Sequence, residues 1–201
     1  MTTLPAASGI VLAGGRSSRF GRDKLAEPVG DGPLLRFAIE AVRRVTTEVI
    51  VVAAPGGRPA LPSGVRLVHD EAAFEGPLAG CYGGLLAARE PLVIVVGGDM
   101  PTLQPAVLAA LIRGLAASSA DVAVLDHVGR RQPLPTVLRT GTGTEVVRRL
   151  LADRERRLGA LFERLLVHVL PETEWRALDP ASESLRDIDE PADLARWRQP
   201  E

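Results

Sequence analysis

A basic, glycine-rich segment, residues 14–24, contains side chains suited to binding phosphate groups. Its glycines permit backbone conformations in which successive N–H groups form a nest for anions. The segment is not a P-loop, because five residues instead of four separate Gly15 from Gly21 and Arg22 follows. The spacing alone does not distinguish a loop that binds polyphosphate from a basic surface loop that binds no ligand. The cations that would neutralise a polyphosphate are Arg16, Arg19, Arg22 and Lys24, with Asp23 between the last two.

Two carboxylates follow aliphatic runs that read as buried strands. Asp70 comes after residues 65–68, where it could accept hydrogen bonds from ribose hydroxyls or be a solvated loop charge, as could Glu71. Asp99 comes after residues 92–96 and two glycines, a position suited to a hard cation. Magnesium is usually held by one or two carboxylates plus phosphate oxygens. A helix N-cap is the alternative role for Asp99, although the next predicted helix begins only at Pro105.

The elements that must position these side chains alternate between short β-branched runs and helical patterns. This alternation predicts an α/β fold with a Rossmann-like, doubly wound, mostly parallel sheet, as a single domain over residues 1–201. Ligands of such sheets bind beyond the carboxyl ends of the strands. The predicted strands are 9–13, 49–53, 65–68, 92–96, 121–125 and 167–170, and the predicted helices are 34–45, 80–88, 105–117, 145–151, 158–166 and 191–197.

Composition restricts the function further. The 24 basic and 25 acidic residues give a net charge of −1, which argues against nucleic acid or an acidic membrane as a partner. The single cysteine, Cys81, excludes an intrachain disulfide and is expected to be packed and inert. The first residues lack a signal-peptide pattern, so a cytoplasmic location is expected. Lys24 is the only lysine beside 23 arginines, which suggests a geometric demand for an ammonium group there.

Five segments together resemble the molybdenum cofactor guanylyltransferases, which are MobA-like nucleotidyltransferases. The first is highly specific, and the last two are less so. They are Leu12-Ala13-Gly14-Gly15-x-Ser17-x-Arg19-Phe20-Gly21-x-Asp23-Lys24, then Gly76-Pro77-Leu78-Ala79-Gly80, Asp99-Met100-Pro101, Gln132-Pro133-Leu134, and Asp187-Ile188-Asp189-Glu190-Pro191-Ala192-Asp193-Leu194.

The resemblance implies an enzyme that transfers GMP from GTP to the phosphate of molybdopterin, with Mg²⁺ as cofactor. It implies that the backbone of Leu12, Ala13 and Gly14 contacts guanine and that Asp70 holds the nucleoside. Molybdoenzyme-maturation proteins would be further partners. The GTP-binding residues that it implies are Leu12, Ala13, Gly14, Gly15, Lys24, Asp70 and Asp99.

The resemblance also implies roles in catalysis and at the acceptor site. Lys24 and Arg19 would hold the triphosphate, and Asp99 would be the metal ligand, so these three form the implied catalytic set. The residues that would border the acceptor site are Pro77, Leu78, Asp187 and Asp189.

Four positions bear on how far the resemblance extends. Gly14 favours a purine base, because related cytidylyltransferases commonly have alanine there. Ala53 replaces an asparagine common in the family, which removes a side chain that could contact the nucleotide. Asp187 and Asp189 replace two asparagines, so either could be a second metal ligand, or the segment could cap the last helix.

Three alternative functions remain open at this point. The chain could be a cytidylyltransferase for the same pterin, a nucleotidyltransferase for another phosphorylated acceptor, or a GTP-binding partner protein without turnover.

Overall fold

The computed structural model describes residues 3–14, 23–29, 32–70 and 76–198, apart from the side chains of residues 196 and 198. The strands within these ranges are β1 (Ala7–Ala13), β2 (Pro28–Val29), β3 (Gly32–Pro33), β4 (Glu48–Ala53), β5 (Val65–His69), β6 (Leu92–Gly97), β7 (Val122–His127), β8 (Arg130–Arg139) and β9 (Val167–Leu170). The α-helices are α1 (Leu35–Arg43), α2 (Pro77–Ala87), α3 (Pro105–Ala117), α4 (Thr140–Ala152), α5 (Glu172–Trp175) and α6 (Pro191–Arg198). Short 3-10 helices span Lys24–Ala26, Leu158–Glu163 and Glu183–Leu185.

In the described residues, seven strands form one sheet in the order β5-β4-β1-β6-β8-β7-β9. Strands β5, β4, β1 and β6 are mutually parallel, and β9 is parallel to β7. Strand β8 runs antiparallel to both β6 and β7. The expected mostly parallel α/β sheet is therefore confirmed, with one antiparallel strand inside it.

Helices cover both faces of the sheet, as expected for strands whose residues are almost all apolar. Helices α1 and α3 pack on one face and α2 and α4 on the other, and each pair forms a hydrophobic core with the sheet. Helix α2 lies very close to β1, because a Cβ built on Gly84 would be 2.6 Å from Ile10 Cδ1. Towards the carboxyl end of β1, a Cβ built on Gly80 would be 3.3 Å from Leu12 Cδ2, so α2 stays close to the strand there.

The structure differs from the sequence prediction in several elements. Strand β8 was not predicted, because Arg130, Arg131 and two prolines break the aliphatic pattern of the other strands. The predicted helix 158–166 is instead the 3-10 helix Leu158–Glu163. Helix α2 begins earlier than predicted, at Pro77, since proline is favoured in the first turn. Helix α4 also begins earlier, at Thr140, despite Gly141 and Gly143.

Among the helices of the described ranges, none combines the length and apolar character needed to cross a membrane. Cys81 is fully buried, and burial raises the pKa of its thiol to about 12, in agreement with the expected inert role.

Candidate active site

A cavity of about 280 Å³ lies at the carboxyl ends of β1, β4 and β6. It brings together five of the residues that the sequence singled out: Leu12, Gly14, Asp70, Pro77 and Asp99. The sequence reasoning assigned no role to the other lining residues, Val52, Gly76, Gly80, Gly97 and Leu134. Of these, Leu134 could have been found from the segment Gln132-Pro133-Leu134, where β8 passes the cavity.

The end of β1 forms one wall of the cavity. The carbonyl oxygen of Leu12 accepts a hydrogen bond from Gly98 N at 2.9 Å, which ties β1 to the turn after β6. Among the described residues, a Cβ built on Gly14 would meet nothing closer than Ala54 N at 3.7 Å. Packing against these residues therefore does not require glycine at position 14, and the missing side chain leaves room beside them. Ala13 is partly buried and packs against the core instead of lining the cavity.

Asp99 lies in the turn that follows β6. Its carbonyl oxygen accepts a hydrogen bond from Ile188 N at 2.9 Å. A Cβ built on Gly97 would be 2.5 Å from Asp99 Oδ1, so glycine at position 97 makes room for this carboxylate. Gln104 is the residue that precedes the first turn of α3, which leaves Asp99 without the alternative role of N-cap.

Lys24 is held against Asp99 by the short helix that it begins. The Asp23 side chain caps this helix by accepting a hydrogen bond from Leu25 N at 3.0 Å. Lys24 Nζ then lies 2.8 Å from Asp99 Oδ2, and it donates to Ile188 O at 2.8 Å and to Asp189 Oδ1 at 3.2 Å. Burial lowers the pKa of Lys24, but hydrogen bonds to and attraction by Asp99 and Asp189 outweigh it, so the net pKa is raised. The ammonium therefore stays charged.

The segment around Asp187 and Asp189 adds negative charge beside Lys24. Burial, followed by repulsion from Asp189 and Asp99, raises the pKa of Asp187. Asp193 performs the capping at the start of α6, since its Oδ2 accepts hydrogen bonds from the backbone N–H groups of Asp189 and Glu190 at 3.1 and 2.8 Å. The Asp189 carboxylate faces Lys24 instead.

The remaining predicted residues lie on the α2 side of the cavity or at its edge. Asp70 follows β5 directly, and its N–H donates to Ala53 O at 2.9 Å. Gly76, with φ of +93°, precedes Pro77 at the start of α2. The Leu78 side chain is fully buried in the core, so Pro77 is the member of that pair that borders the cavity. The Ala53 side chain is buried and does not line the cavity.

Several predicted residues lie outside the described ranges, and the structure says nothing of their placement. They are Gly15, Arg16, Arg19, Arg22 and Glu71. Sequence reasoning had not found the contact of Ile188 O with Lys24, because a backbone carbonyl leaves no signal in the residue type.

The donor chemistry of the site fits a hard divalent cation held partly by substrate. Within the part of the chain that the structure describes, no three His, Cys, Asp or Glu side chains are grouped so that they could hold a metal ion between them. Asp99 nevertheless offers a carboxylate to the cavity, and one or two carboxylates plus phosphate oxygens are the usual protein ligands of magnesium.

Comparison with known proteins agrees with this geometry. Residues 9–169 match the family described as MobA-like NTP transferase domain. A probable molybdenum cofactor guanylyltransferase from Chloroflexus aggregans is 38% identical and covers 93% of this chain and 91% of its own. A molybdenum cofactor guanylyltransferase from Burkholderia ambifaria is 36% identical, and the match covers 86% of this chain and 87% of the relative.

A solved structure has the same fold. The molybdopterin-guanine dinucleotide biosynthesis protein A from Archaeoglobus fulgidus superimposes on this chain with a TM-score of 0.79 at 22% sequence identity. The superposition covers 94% of this chain and 95% of the other. The family match and the curated relatives each span most of the sequence. This chain therefore belongs to the MobA-like NTP transferase family, together with the molybdenum cofactor guanylyltransferases.

Proposed function

We propose that this protein is a molybdenum cofactor guanylyltransferase that transfers GMP from GTP to the phosphate of molybdopterin and releases pyrophosphate. The observation that carries the proposal is the shared cavity of Gly14, Asp70 and Asp99, with Lys24 in contact with Asp99. Relatives that carry this name at 36–38% identity support it. We take residues 1–201 as one nucleotidyltransferase domain that acts in the cytoplasm and hands its product to molybdoenzyme-maturation proteins.

In the proposed reaction, an oxygen of the acceptor phosphate forms a bond to the α-phosphorus of GTP. The bond from that phosphorus to the oxygen bridging the β-phosphate breaks, and pyrophosphate leaves with the electron pair. This chemistry depends on positioning and charge neutralisation and needs no nucleophile from the protein. The fully buried Cys81, whose pKa is raised to about 12, is suited to no such role.

Each residue then has one task. The backbone at Leu12, Ala13 and Gly14 receives guanine, and Asp70 binds the ribose. Lys24 donates to phosphate oxygens, with Arg19 as a second cation. Mg²⁺, held through Asp99 and phosphate oxygens, would neutralise the charge that develops on the phosphates.

The acceptor lies on the other side of the reacting phosphate in this proposal. Pro77 borders it at the start of α2, where backbone N–H groups favour an anion. Leu78 supports that turn from the core. Asp187 and Asp189 would approach from the C-terminal segment, where Asp187 lines a separate cavity.

The test is pyrophosphate release with each of the four NTPs, with and without molybdopterin, in Mg²⁺. We expect release only with GTP and only when the pterin is present. Release with CTP and the same pterin would make the protein a cytidylyltransferase, and release that needs a different phosphorylated acceptor would change the acceptor. GTP binding without any turnover would leave a non-catalytic partner protein.

A further inference from the structure

The ammonium of Lys24 has three acceptors among the residues that the structure describes. Its Nζ lies 2.8 Å from Asp99 Oδ2, 2.8 Å from Ile188 O and 3.2 Å from Asp189 Oδ1. An ammonium group has three N–H donors, so the acceptors among the described residues already match its donors in number. Lys24 can therefore bind a phosphate oxygen only by giving up an acceptor that it now has.

The carbonyl of Ile188 is the acceptor that is hardest to replace. Ile188 is only 4% exposed, and its own N–H donates to Asp99 O at 2.9 Å. The preceding residues are pinned to the segment after Asp99, because Thr102 Oγ1 donates to Glu183 O at 2.8 Å and Gln104 N donates to Ser184 Oγ at 3.0 Å. The backbone at Ile188 cannot move away from Lys24 without breaking these bonds.

Asp99 and Asp189 differ in how firmly they hold Lys24. Asp99 makes the shorter contact, its side chain is 27% exposed, and its turn is fixed by the close packing of Gly97. Asp189 makes the longest of the three contacts, and its side chain is 49% exposed. An exposed carboxylate regains water when it leaves, so its departure costs less than that of a buried partner.

We infer that Asp189 is an exchangeable internal ligand of Lys24, whose carboxylate holds the ammonium in the nucleotide-free protein until a phosphate oxygen of the polyphosphate takes its place. The inference rests on the proposed function in one respect, namely that Lys24 binds the triphosphate. It adds that Asp189 competes with the incoming anion for the same donor. The negative charge of Asp189 also repels that anion, and it adds to the charge of Asp99 and Asp187 nearby.

The test compares Asp189→Asn with Glu190→Gln. Both changes replace a carboxylate by an amide of the same shape, but Glu190 is exposed and is not among the described acceptors around Lys24. The first measurement is the dissociation constant for inorganic tripolyphosphate, by calorimetry, first without metal and then with Mg²⁺. The second is the rate at which an amine-reactive reagent acylates Lys24 in the nucleotide-free protein, by mass spectrometry. Lys24 is the only lysine in the chain, so its modification is read without ambiguity.

We expect Asp189→Asn to bind tripolyphosphate about two- to fivefold more tightly and to raise the acylation rate by a similar factor, as for loss of an exposed ion pair. Glu190→Gln should match the wild type in both. Unchanged affinity and labelling in Asp189→Asn would overturn the inference, as would weaker binding. A loss of binding that appears only with Mg²⁺ would also overturn it, by making Asp189 a metal ligand.

These measurements separate the inference from the proposed function, because neither needs guanine, pterin or turnover. If guanylyl transfer is found, a third measurement applies: Asp189→Asn should lower the KM for GTP, whereas Glu190→Gln should leave it at the wild-type value. A purely structural role for Asp189 would lower the unfolding midpoint and leave the KM for GTP unchanged.

Discussion

The two ends of the central sheet each have a charged cluster, and the two clusters are built differently. At the amino end, Glu48 at the start of β4 accepts hydrogen bonds from Ser8 Oγ at 2.7 Å, Arg89 N at 2.8 Å and Arg66 Nη1 at 2.7 Å. Burial raises the pKa of Glu48, but these hydrogen bonds outweigh it and the net pKa is lowered. One carboxylate there accepts hydrogen bonds from three donors, one of them a cation.

At the carboxyl end, the carboxylates outnumber the cations that the structure describes. Asp99 and Asp189 share Lys24, and the pKa of Asp187 is raised by burial and by its two acidic neighbours. A cluster whose charges are already satisfied stabilises the fold, whereas one with unbalanced charge is poised to bind an ion or a charged substrate. The comparison therefore assigns stability to the amino end and function to the carboxyl end.

The largest expected effect is that of Asp99→Asn. Loss of this carboxylate should lower the rate of pyrophosphate release by about 100- to 1000-fold, in the range for removing one group that stabilises transition-state charge. The free energy of unfolding should change by no more than about 1 kcal/mol, because the lost ion pair is partly exposed. Turnover and urea denaturation measure the two quantities. Wild-type turnover would remove Asp99 from the reaction.

Lys24→Arg should have the next largest effect. A planar guanidinium is longer than an ammonium and cannot place its donors among the same three acceptors, so turnover should fall by about 100-fold, as for a misplaced catalytic group. The reverse exchange at the amino end, Arg66→Lys, is the control and should leave turnover at the wild-type level. Full activity of Lys24→Arg would show that only the positive charge matters.

Glu48→Gln should give the opposite pattern to Asp99→Asn. Its amide cannot accept all the hydrogen bonds of the carboxylate, so the free energy of unfolding should fall by about 1–3 kcal/mol. Turnover should stay unchanged. The pKa of Glu48 is lower in the folded protein than in the unfolded chain. The ionised side chain therefore stabilises the fold fully at a pH above its pKa in the unfolded chain, and this stabilisation is lost as the pH falls through its pKa in the folded protein. Urea denaturation from pH 7 towards acid should show the difference between variant and wild type shrinking. A constant difference would contradict this assignment.

The smallest expected effect on stability is at Gly14, and Gly9 on the same strand provides the contrast. A Cβ on Gly9 would overlap Val42 Cγ1, so Gly9→Ala should destabilise the fold by about 1–3 kcal/mol. Gly14→Ala should change stability by less than about 0.5 kcal/mol, because its Cβ comes no closer than 3.7 Å to any atom of the described residues. It should instead reduce the preference for GTP over CTP by about tenfold, measured as the ratio of kcat/KM values. An unchanged ratio would remove Gly14 from base selection.

Much of the fold could be predicted from the sequence, because strands such as β1, β4 and β6 are aliphatic on both faces. Strand β8 could not, since its first residues, Arg130 and Arg131, are exposed and pair only with β7. Placing Asp70 and Asp99 near the cavity followed from the rule that ligands bind at the carboxyl ends of strands.

The contacts of Lys24 were beyond such rules. Asp189 lies 165 residues further along the chain, and the two meet because hydrogen bonds that include those from Thr102 and Gln104 hold the C-terminal segment against the turn after β6. No local pattern in the sequence encodes that long-range packing.

The most direct test of the functional assignment is a calorimetric titration of GTP into the wild type and into Asp99→Asn, each with and without Mg²⁺. If the carboxyl end of the sheet binds the nucleotide through Asp99 and a divalent cation, Mg²⁺ should tighten GTP binding to the wild type and have no such effect on the variant. An equal effect of Mg²⁺ on both proteins would contradict the account.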